Sequence, residues 1–388
     1  LVDRAIADAK FPPERVLIID RGLDPAMQWR KGRDLNLAKL AAAQGPAAVE
    51  VAWVESTQPS YILYTSGTTG VPKGVQRDTG GHLVALHASM QHIYDCKPGE
   101  TYWATSDIGW AVGHSYIAYA PLLYGMTTIV YEGTPINPDP GIWWRIVAEH
   151  KVNVMFSAPT AVRILRRQDP KWLREADVRS LRTLFLAGEP LDAPTYHWVH
   201  ENLGVTVVDH YWQTESGWPM LANCVGVEQE PVKPGSPTFP VYGWELDVVE
   251  QGTGKSMPAG ERGVLVARPP LPPGALSTVW GDDERFLKSY FSHFPELRYY
   301  TGDYAIRDLL RDEKPDGATL SSTLQSYTQR VGAPVIALLD PEGALLANSA
   351  ADMENENLGP FRYLIRQATA AEMPKASGFS YLNQALHV

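Results

Sequence analysis

The stretch YILYTSGTTGVPKGVQ, Tyr61–Gln76, sets the terms for the rest of the chain. Its opening, "YILY", is apolar and rich in β-formers, and reads as a strand. The strand runs into Ser66, Gly67, Thr68, Thr69 and Gly70, followed by Pro72, Lys73 and Gly74. Glycines let successive backbone N–H groups approach a phosphate closely and form an anion-binding nest. Hydroxyls of Thr65, Ser66, Thr68 and Thr69 add neutral donors, and Lys73 adds a positive charge on a flexible stem. The string does not fit G-x-x-x-x-G-K-[ST], so it is not the commonest phosphate loop. A solvated Ser/Thr/Gly loop would account for the composition. It would not account for the order T-S-G-T-T-G-x-P-K-G.

The whole chain is compatible with a site of this kind. It has 388 residues, 44% hydrophobic and 20% charged, which is ordinary globular composition and roughly two or three domains. A formal charge of -10 excludes a general nucleic-acid binder, but not a pocket for one small anion. Cys96 and Cys224 have no metal-type spacing and form no disulfide framework, which points to a reducing, cytoplasmic setting. The apolar run at 116–131 is broken by Pro121 and Gly125 and is too short to span a membrane. The chain opens "LVDRAIADAKF", without Met or a signal-type apolar region, and is expected to be part of a longer one. Nothing here sets an oligomeric state.

From 1 to 220, short apolar runs alternate with helical patterns. Buried strands are expected at 14–20, 60–66, 127–133, 152–158, 181–188 and 204–211, with helical spacing at 140–151 and 160–168. That alternation predicts an α/β domain with parallel sheets. From 221 to 308, Pro and Gly become dense and strands short, as in "WELDVVE" and "GVLVARP", which predicts a smaller β-rich subdomain. After Asp308 a third texture begins. "APVIALLDPEGALLANS" reads as strand, Asp-Pro-Glu-Gly turn, strand, after a helix-like start, so 309–388 is expected to be a separate small α+β module.

The ten-residue string resembles the phosphate loop of the adenylate-forming family: acyl-CoA synthetases, luciferases and peptide-synthetase adenylation domains. Further segments resemble that family in the same order. "AGEPL" (187–191) is similar to the adenine-pocket segment, "DHYWQTESG" (209–217) to the aromatic-x-T-E block, and "YYTGDY" (299–304) to the ribose-binding segment. The resemblance implies the large domain of the adenylate-forming fold, stacked α/β subdomains with a β-rich one. It also implies ATP with Mg²⁺, a short carboxylic acid and CoA as small-molecule partners.

By this resemblance, Thr65, Ser66, Gly67, Thr68, Thr69, Gly70 and Lys73 hold phosphates. Gly188, Glu189, Pro190, Asp209, His210, Tyr211 and Gln213 line the nucleotide, and Asp303 takes the ribose. A carboxylate suits two ribose hydroxyls because it only accepts. Thr214 is placed for the α-phosphate and Glu215 for Mg²⁺, a hard cation that prefers oxygen. Catalysis falls to Thr65, Lys73, Thr214 and Glu215.

The short-chain branch, acetyl- and propionyl-CoA synthetases, is the nearest resemblance, over roughly 1–308. There Trp212 walls off the acyl pocket, lined by Ala111, Val112 and Ala187. Relatives that prefer acetate tend to carry Val at the two alanine positions, so propionate is expected to be favoured over acetate. His114 is read as pocket lining or support, since an ionised carboxylate needs no base.

The resemblance stops at "GDYAIRD". No G-R-x-D-D hinge follows, and neither Lys314 nor Lys375 sits in the family's lysine segment. The chain alone is therefore expected to lack the catalytic lysine. The tail loosely resembles extracytoplasmic or PAS-like sensor modules; a non-native join at 308–309 would also explain it. A non-catalytic ATP or AMP binder with a sensing tail is the alternative function, and an adenylation domain of another branch a third.

Overall fold

A computed structural model describes residues 2–45, 48–65, 71–294, 296 and 298–306, and four short strands between 337 and 387. It forms two compact units, Leu1–Val54 and Glu55–Val388.

The first unit holds α1 (Val2–Asp8), β1 (Val16–Ile18), β2 (Asp34–Asn36) and α2 (Leu37–Gln44), with β1 and β2 parallel. The Asn36 side chain caps α2 by accepting from the Lys39 N–H at 3.0 Å. Arg33 bridges Asp3 and Asp34, each at 2.6 Å. None of this unit's described residues is buried. The strand expected at 14–20 therefore shrinks to three residues and is not a buried one. It has one partner strand, and its unit closes no layer over either face.

In the second unit, β3 (Pro59–Thr65) and β4 (Lys73–Asp78) form an antiparallel hairpin in which Thr65 faces Lys73. The sequence predicts a buried strand here, in a parallel sheet. The observed strand is antiparallel and only half-covered, with Tyr64 exposed. Asp78 then caps α3 (Thr79–His92), its carboxylate accepting from the His82 N–H.

The central sheet comprises β5 (Thr101–Ala104), β6 (Thr127–Thr128), β7 (Val152–Ser157), β8 (Thr183–Leu186) and β9 (Thr206–Asp209). Their order is β6-β5-β7-β8-β9, all parallel. A π-helical turn, Gly113–Tyr119, and α4 (Ala120–Leu123) connect β5 to β6. The remaining crossovers carry α5 (Ile142–His150), α6 (Pro159–Arg166), α7 (Lys171–Arg174) and α8 (Ala193–Leu203), as parallel pairing requires.

Successive residues feed opposite sides of this sheet. Tyr102, Ala104, Val154, Phe156, Phe185 and Val208 enter one core. Trp103, Val152, Met155, Leu184, Leu186 and Val207 enter the other. Burial on both faces explains why these strands read as continuous apolar runs. The strand expected over 127–133 pairs only at Thr127 and Thr128. It is the sheet's edge, and its Ile129 and Tyr131 fold onto the second core instead of extending the ladder.

Beyond residue 220, β10 (Leu246–Val249), β11 (Arg262–Ala267) and β13 (Tyr299–Ile306) form an antiparallel sheet in the order β10-β11-β13. Before β13 come β12 (Thr278–Val279), which adds to β4, and α9 (Asp283–Tyr290), which packs on both β12 and β13. Two antiparallel pairs follow: β14 (Ala337–Leu339) with β15 (Leu345–Asn348), and β16 (Ser380–Leu382) with β17 (Ala385–His387). The first agrees with the strand pair expected after Asp308. The turn between them, the helix-like start, Lys314 and Lys375 lie outside the described residues.

Candidate functional site

Ser66, Gly67, Thr68, Thr69 and Gly70 lie outside the described residues; the flanks of their loop do not. Thr65 ends β3 and Lys73 begins β4, directly opposite. Arg285 of α9 grips the loop's exit by donating to the Pro72 carbonyl at 3.2 Å.

Lys73 reaches the Glu215 carboxylate at 2.8 Å. The same oxygen, Oε1, accepts from the Tyr290 hydroxyl at 2.8 Å. The Lys73 ammonium also lies 4.7 Å from the centre of the Tyr290 ring, a cation–π distance. Burial raises the Glu215 carboxyl, but the Lys73 charge and the two hydrogen bonds outweigh it and hold the group below the usual carboxylate range.

Glu215 is also fixed through its backbone. Arg77, fully buried, donates to the Glu215 carbonyl at 3.2 Å, the Gly274 carbonyl at 2.9 Å and the Tyr61 hydroxyl at 2.9 Å. Among the described residues no carboxylate pairs with it. Gly217 is required here: its φ is +77°, and a Cβ would lie 2.4 Å from Arg77 Nη1.

At the other end, Asp303 Oδ2 accepts from the Tyr211 hydroxyl and from Gln213 Nε2, both at 2.7 Å. Gln213 Nε2 also donates to the Thr301 carbonyl at 2.8 Å, and its Oε1 accepts from Tyr299 at 3.2 Å. Tyr299 stacks on Tyr290 with centroids 5.5 Å apart. Side-chain contacts thus run without a gap from Lys73 through Glu215, Tyr290, Tyr299 and Gln213 to Asp303. Thr214, half-buried, lies between Gln213 and Glu215 in the chain.

The segment 187–192 is clamped from α6. Arg163 pairs with Glu189 at 2.9 Å and Asp192 at 2.6 Å, and donates to the Pro190 carbonyl at 2.8 Å. The Glu189 carboxylate also accepts from the Thr160 N–H at 2.7 Å, so it is occupied by α6, and what the segment offers a ligand is backbone. Gly188 turns the chain at φ +92°, with open space where a Cβ would stand.

His210 is 1% exposed, with Nδ1 on the Leu186 carbonyl at 2.8 Å and Nε2 on the Tyr94 hydroxyl at 3.1 Å. Its ring therefore belongs to the core and leaves only backbone for a ligand. Burial holds it neutral, pushed down to about 4. Asp209 is buried too; desolvation pushes it up to about 7, against hydrogen bonds from the Leu191 and His210 N–H groups.

Trp212 packs edge-on against Tyr116, centroids 5.4 Å apart, and at a tilt of 52° against Phe156 at 6.3 Å. Val112 joins the same cluster as buried Ala187, and Ala111, its chain neighbour, is buried. His114 lies edge-on to Tyr61 at 5.2 Å, and burial lowers it further from charging, as does Arg77.

Sequence analysis missed Arg77 and Tyr290, although both left a signal. Period two along β4 puts Arg77 on the same face as Lys73 and Val75. Helical spacing along α9 puts Tyr290 one turn beyond Phe286, on the helix's inner side.

Comparison with known proteins gives the family and the fold. Residues 3–272 match the family model described as AMP-binding enzyme. The chain is 54% identical over 308 residues to a propionate–CoA ligase of Salmonella typhimurium, covering 79% of this chain and 49% of that protein. It is 44% identical over 300 residues to the human mitochondrial acyl-CoA synthetase short-chain family member 3, covering 76% and 43%. The chain thus spans about half the length of the curated relatives it matches. Among solved structures, the anthranilate CoA ligase AuaEII in complex with anthranoyl-AMP superposes with a TM-score of 0.64 at 23% identity, over 76% of this chain and 52% of that one, a likeness of fold. The chain belongs to the AMP-binding enzyme family.

Proposed function

We propose that this chain carries the nucleotide and acyl sites of an AMP-forming ligase that joins a short carboxylic acid to CoA, with propionate favoured over acetate. The observation that supports this most is the unbroken run of contacts from Lys73 to Asp303. It joins three separate motif segments, 61–76, 209–217 and 299–304, into one surface.

In this reading Asp303 receives the ribose hydroxyls, and the backbone of Gly188, Glu189 and Pro190 borders the adenine. Thr65, Lys73, Thr214 and the loop between Thr65 and Lys73 meet the phosphates. Glu215 fits Mg²⁺ as a single hard-oxygen ligand. Mg²⁺ keeps several waters and shares the phosphates, so the lack of any three-residue His/Cys/Asp/Glu cluster among the described residues suits it. When bound, the ion would neutralise phosphate charge.

The substrate carboxylate is already ionised and attacks the α-phosphorus, releasing pyrophosphate. Positioning and charge stabilisation are the protein's contribution. CoA thiol then displaces AMP from the acyl-adenylate. Trp212 limits the length of the acid, and the small Ala111 and Ala187 leave room for one more methylene than Val would. A cytoplasmic setting suits these substrates, and no helix among the described residues is long and apolar enough to cross a membrane.

Two measurements test this. Equilibrium AMP binding should be strong in the wild-type chain and weakened at least about tenfold in Asp303→Ala. ATP–pyrophosphate exchange should then depend on propionate more than on acetate. Binding without any acid-dependent exchange would favour a non-catalytic nucleotide binder for this chain. Absence of binding would overturn both.

A further inference from the structure

Tyr290 ends α9, outside every segment so far given a role in the chemistry. Its hydroxyl nevertheless donates to Glu215 Oε1 at 2.8 Å, the oxygen that Lys73 also contacts at 2.8 Å. Its ring face lies under the Lys73 ammonium at 4.7 Å. The ring is buried, 4% exposed, and stacks on Tyr299 at 5.5 Å with 19° between planes. One side chain therefore touches both partners of the Lys73–Glu215 pair and is itself fixed by packing.

The pair cannot stay as it is once a nucleotide arrives. If Lys73 turns to phosphate oxygens, Glu215 Oε1 loses its cation. A carboxylate buried without a partner is costly, and it is free to rotate. We propose that Tyr290 is a positioning residue: it keeps Glu215 oriented through Oε1 when Lys73 leaves, so that the carboxylate stays set for the divalent cation that accompanies ATP. Oε2 takes part in neither contact. The ring meanwhile gives the Lys73 ammonium a face to slide along rather than a single point of attachment. This rests on the functional reading above.

Tyr290→Phe tests it by removing one oxygen and keeping the stacked ring. Dissociation constants are measured by calorimetry on the full chain for three probes: ATP with saturating Mg²⁺, ATP in EDTA, and AMP in EDTA. The expected result is a loss of about tenfold for ATP with Mg²⁺, the scale of one hydrogen bond to a charged group, a loss for ATP in EDTA as well because Lys73 turns to phosphate there too, and an unchanged constant for AMP in EDTA. Equal losses for all three probes would show a merely structural role and overturn the inference, as would no loss for any. A wild-type chain that binds no nucleotide would overturn the functional reading and this inference together. A wild type that gains affinity from Mg²⁺, beside an unaltered variant, would overturn the inference alone.

Discussion

Glu215 and Asp303 are both carboxylates with two side-chain partners on one oxygen, yet only one of them is held by charge. Glu215 Oε1 faces an ammonium and a phenol, each at 2.8 Å. Asp303 Oδ2 faces a phenol and an amide, each at 2.7 Å, with no cation among the described residues. The first arrangement neutralises the carboxylate inside the fold, so a ligand must rearrange it. The second fixes the carboxylate and leaves its charge for the ligand. On the proposed function, the difference divides the site into an end built into the stability of the hairpin and an end preorganised for binding.

The strongest way to break this contrast is at Arg77, which anchors the hairpin end. Arg77→Leu leaves the buried Gly274 carbonyl and the half-buried Tyr61 hydroxyl without their donor. At ~1–3 kcal/mol for each orphaned group, the expected destabilisation is about 3 kcal/mol, read from the denaturant midpoint. A stability loss below about 1 kcal/mol would mean that the hairpin end does not depend on it.

The matching change at the other end is Asp303→Asn. The amide oxygen still accepts from Tyr211 and Gln213, so stability should move by less than about 1 kcal/mol. AMP affinity should fall about tenfold, because a neutral acceptor replaces a charged one. If instead Asp303→Asn destabilises the fold as much as Arg77→Leu, the two ends are not different in kind.

Trp212 sits in the chain between the two partners of Asp303, Tyr211 and Gln213, and so ties the proposed acyl pocket to that end. Ala111→Val with Ala187→Val narrows the pocket by small steps. One methylene is worth about 1–3 kcal/mol of discrimination, so the propionate-to-acetate ratio in pyrophosphate exchange should fall about tenfold while AMP affinity holds. An unchanged ratio would remove the two alanines from the account of selectivity.

How much of this was legible in the sequence follows the same division. The central strands at 152–158, 181–188 and 204–211 stand out because both faces are buried and most of their residues are apolar or small, Asn153, Arg182, Asp209 and His210 being the exceptions. Strand β3 was misread because a hairpin strand covered on one side can carry the same letters as a buried parallel one. Asp303, Glu215 and Lys73 stand out in the sequence only through the resemblance of their segments to the family. Their contacts were not: Arg77 meets Glu215 across 138 positions, and Tyr290 meets it across 75. No local pattern encodes such pairings. Periodicity says which face a residue is on, not what stands opposite.

His82 gives an effect of the same size as the tenfold changes, about 1.4 kcal/mol, and the sharpest sign. It lies on α3, 3% exposed, edge-on to Tyr61 at 5.4 Å and Tyr119 at 6.2 Å, and neither ring nitrogen has a partner among the described residues. Burial pushes it down to about 3, and Arg77 and His114 add to the effect. In the unfolded chain it charges near the ordinary histidine value of about 6.5, so below that pH the unfolded state binds the extra proton. Stability from this group is therefore complete above about 6.5 and lost as pH falls towards 3. Between pH 7.5 and 5.5 the loss is about 1.4 kcal/mol. His210 acts in the same direction over a narrower range, and Asp209, raised to about 7, acts in the opposite one. Both are common to wild type and variant, so the difference between wild type and His82→Phe isolates His82. That difference should shift in favour of the variant by about 1.4 kcal/mol between pH 7.5 and 5.5. A constant difference would mean that the histidine finds a proton acceptor or water in the folded chain, and that the hairpin end is wetter than Arg77 and its backbone acceptors imply.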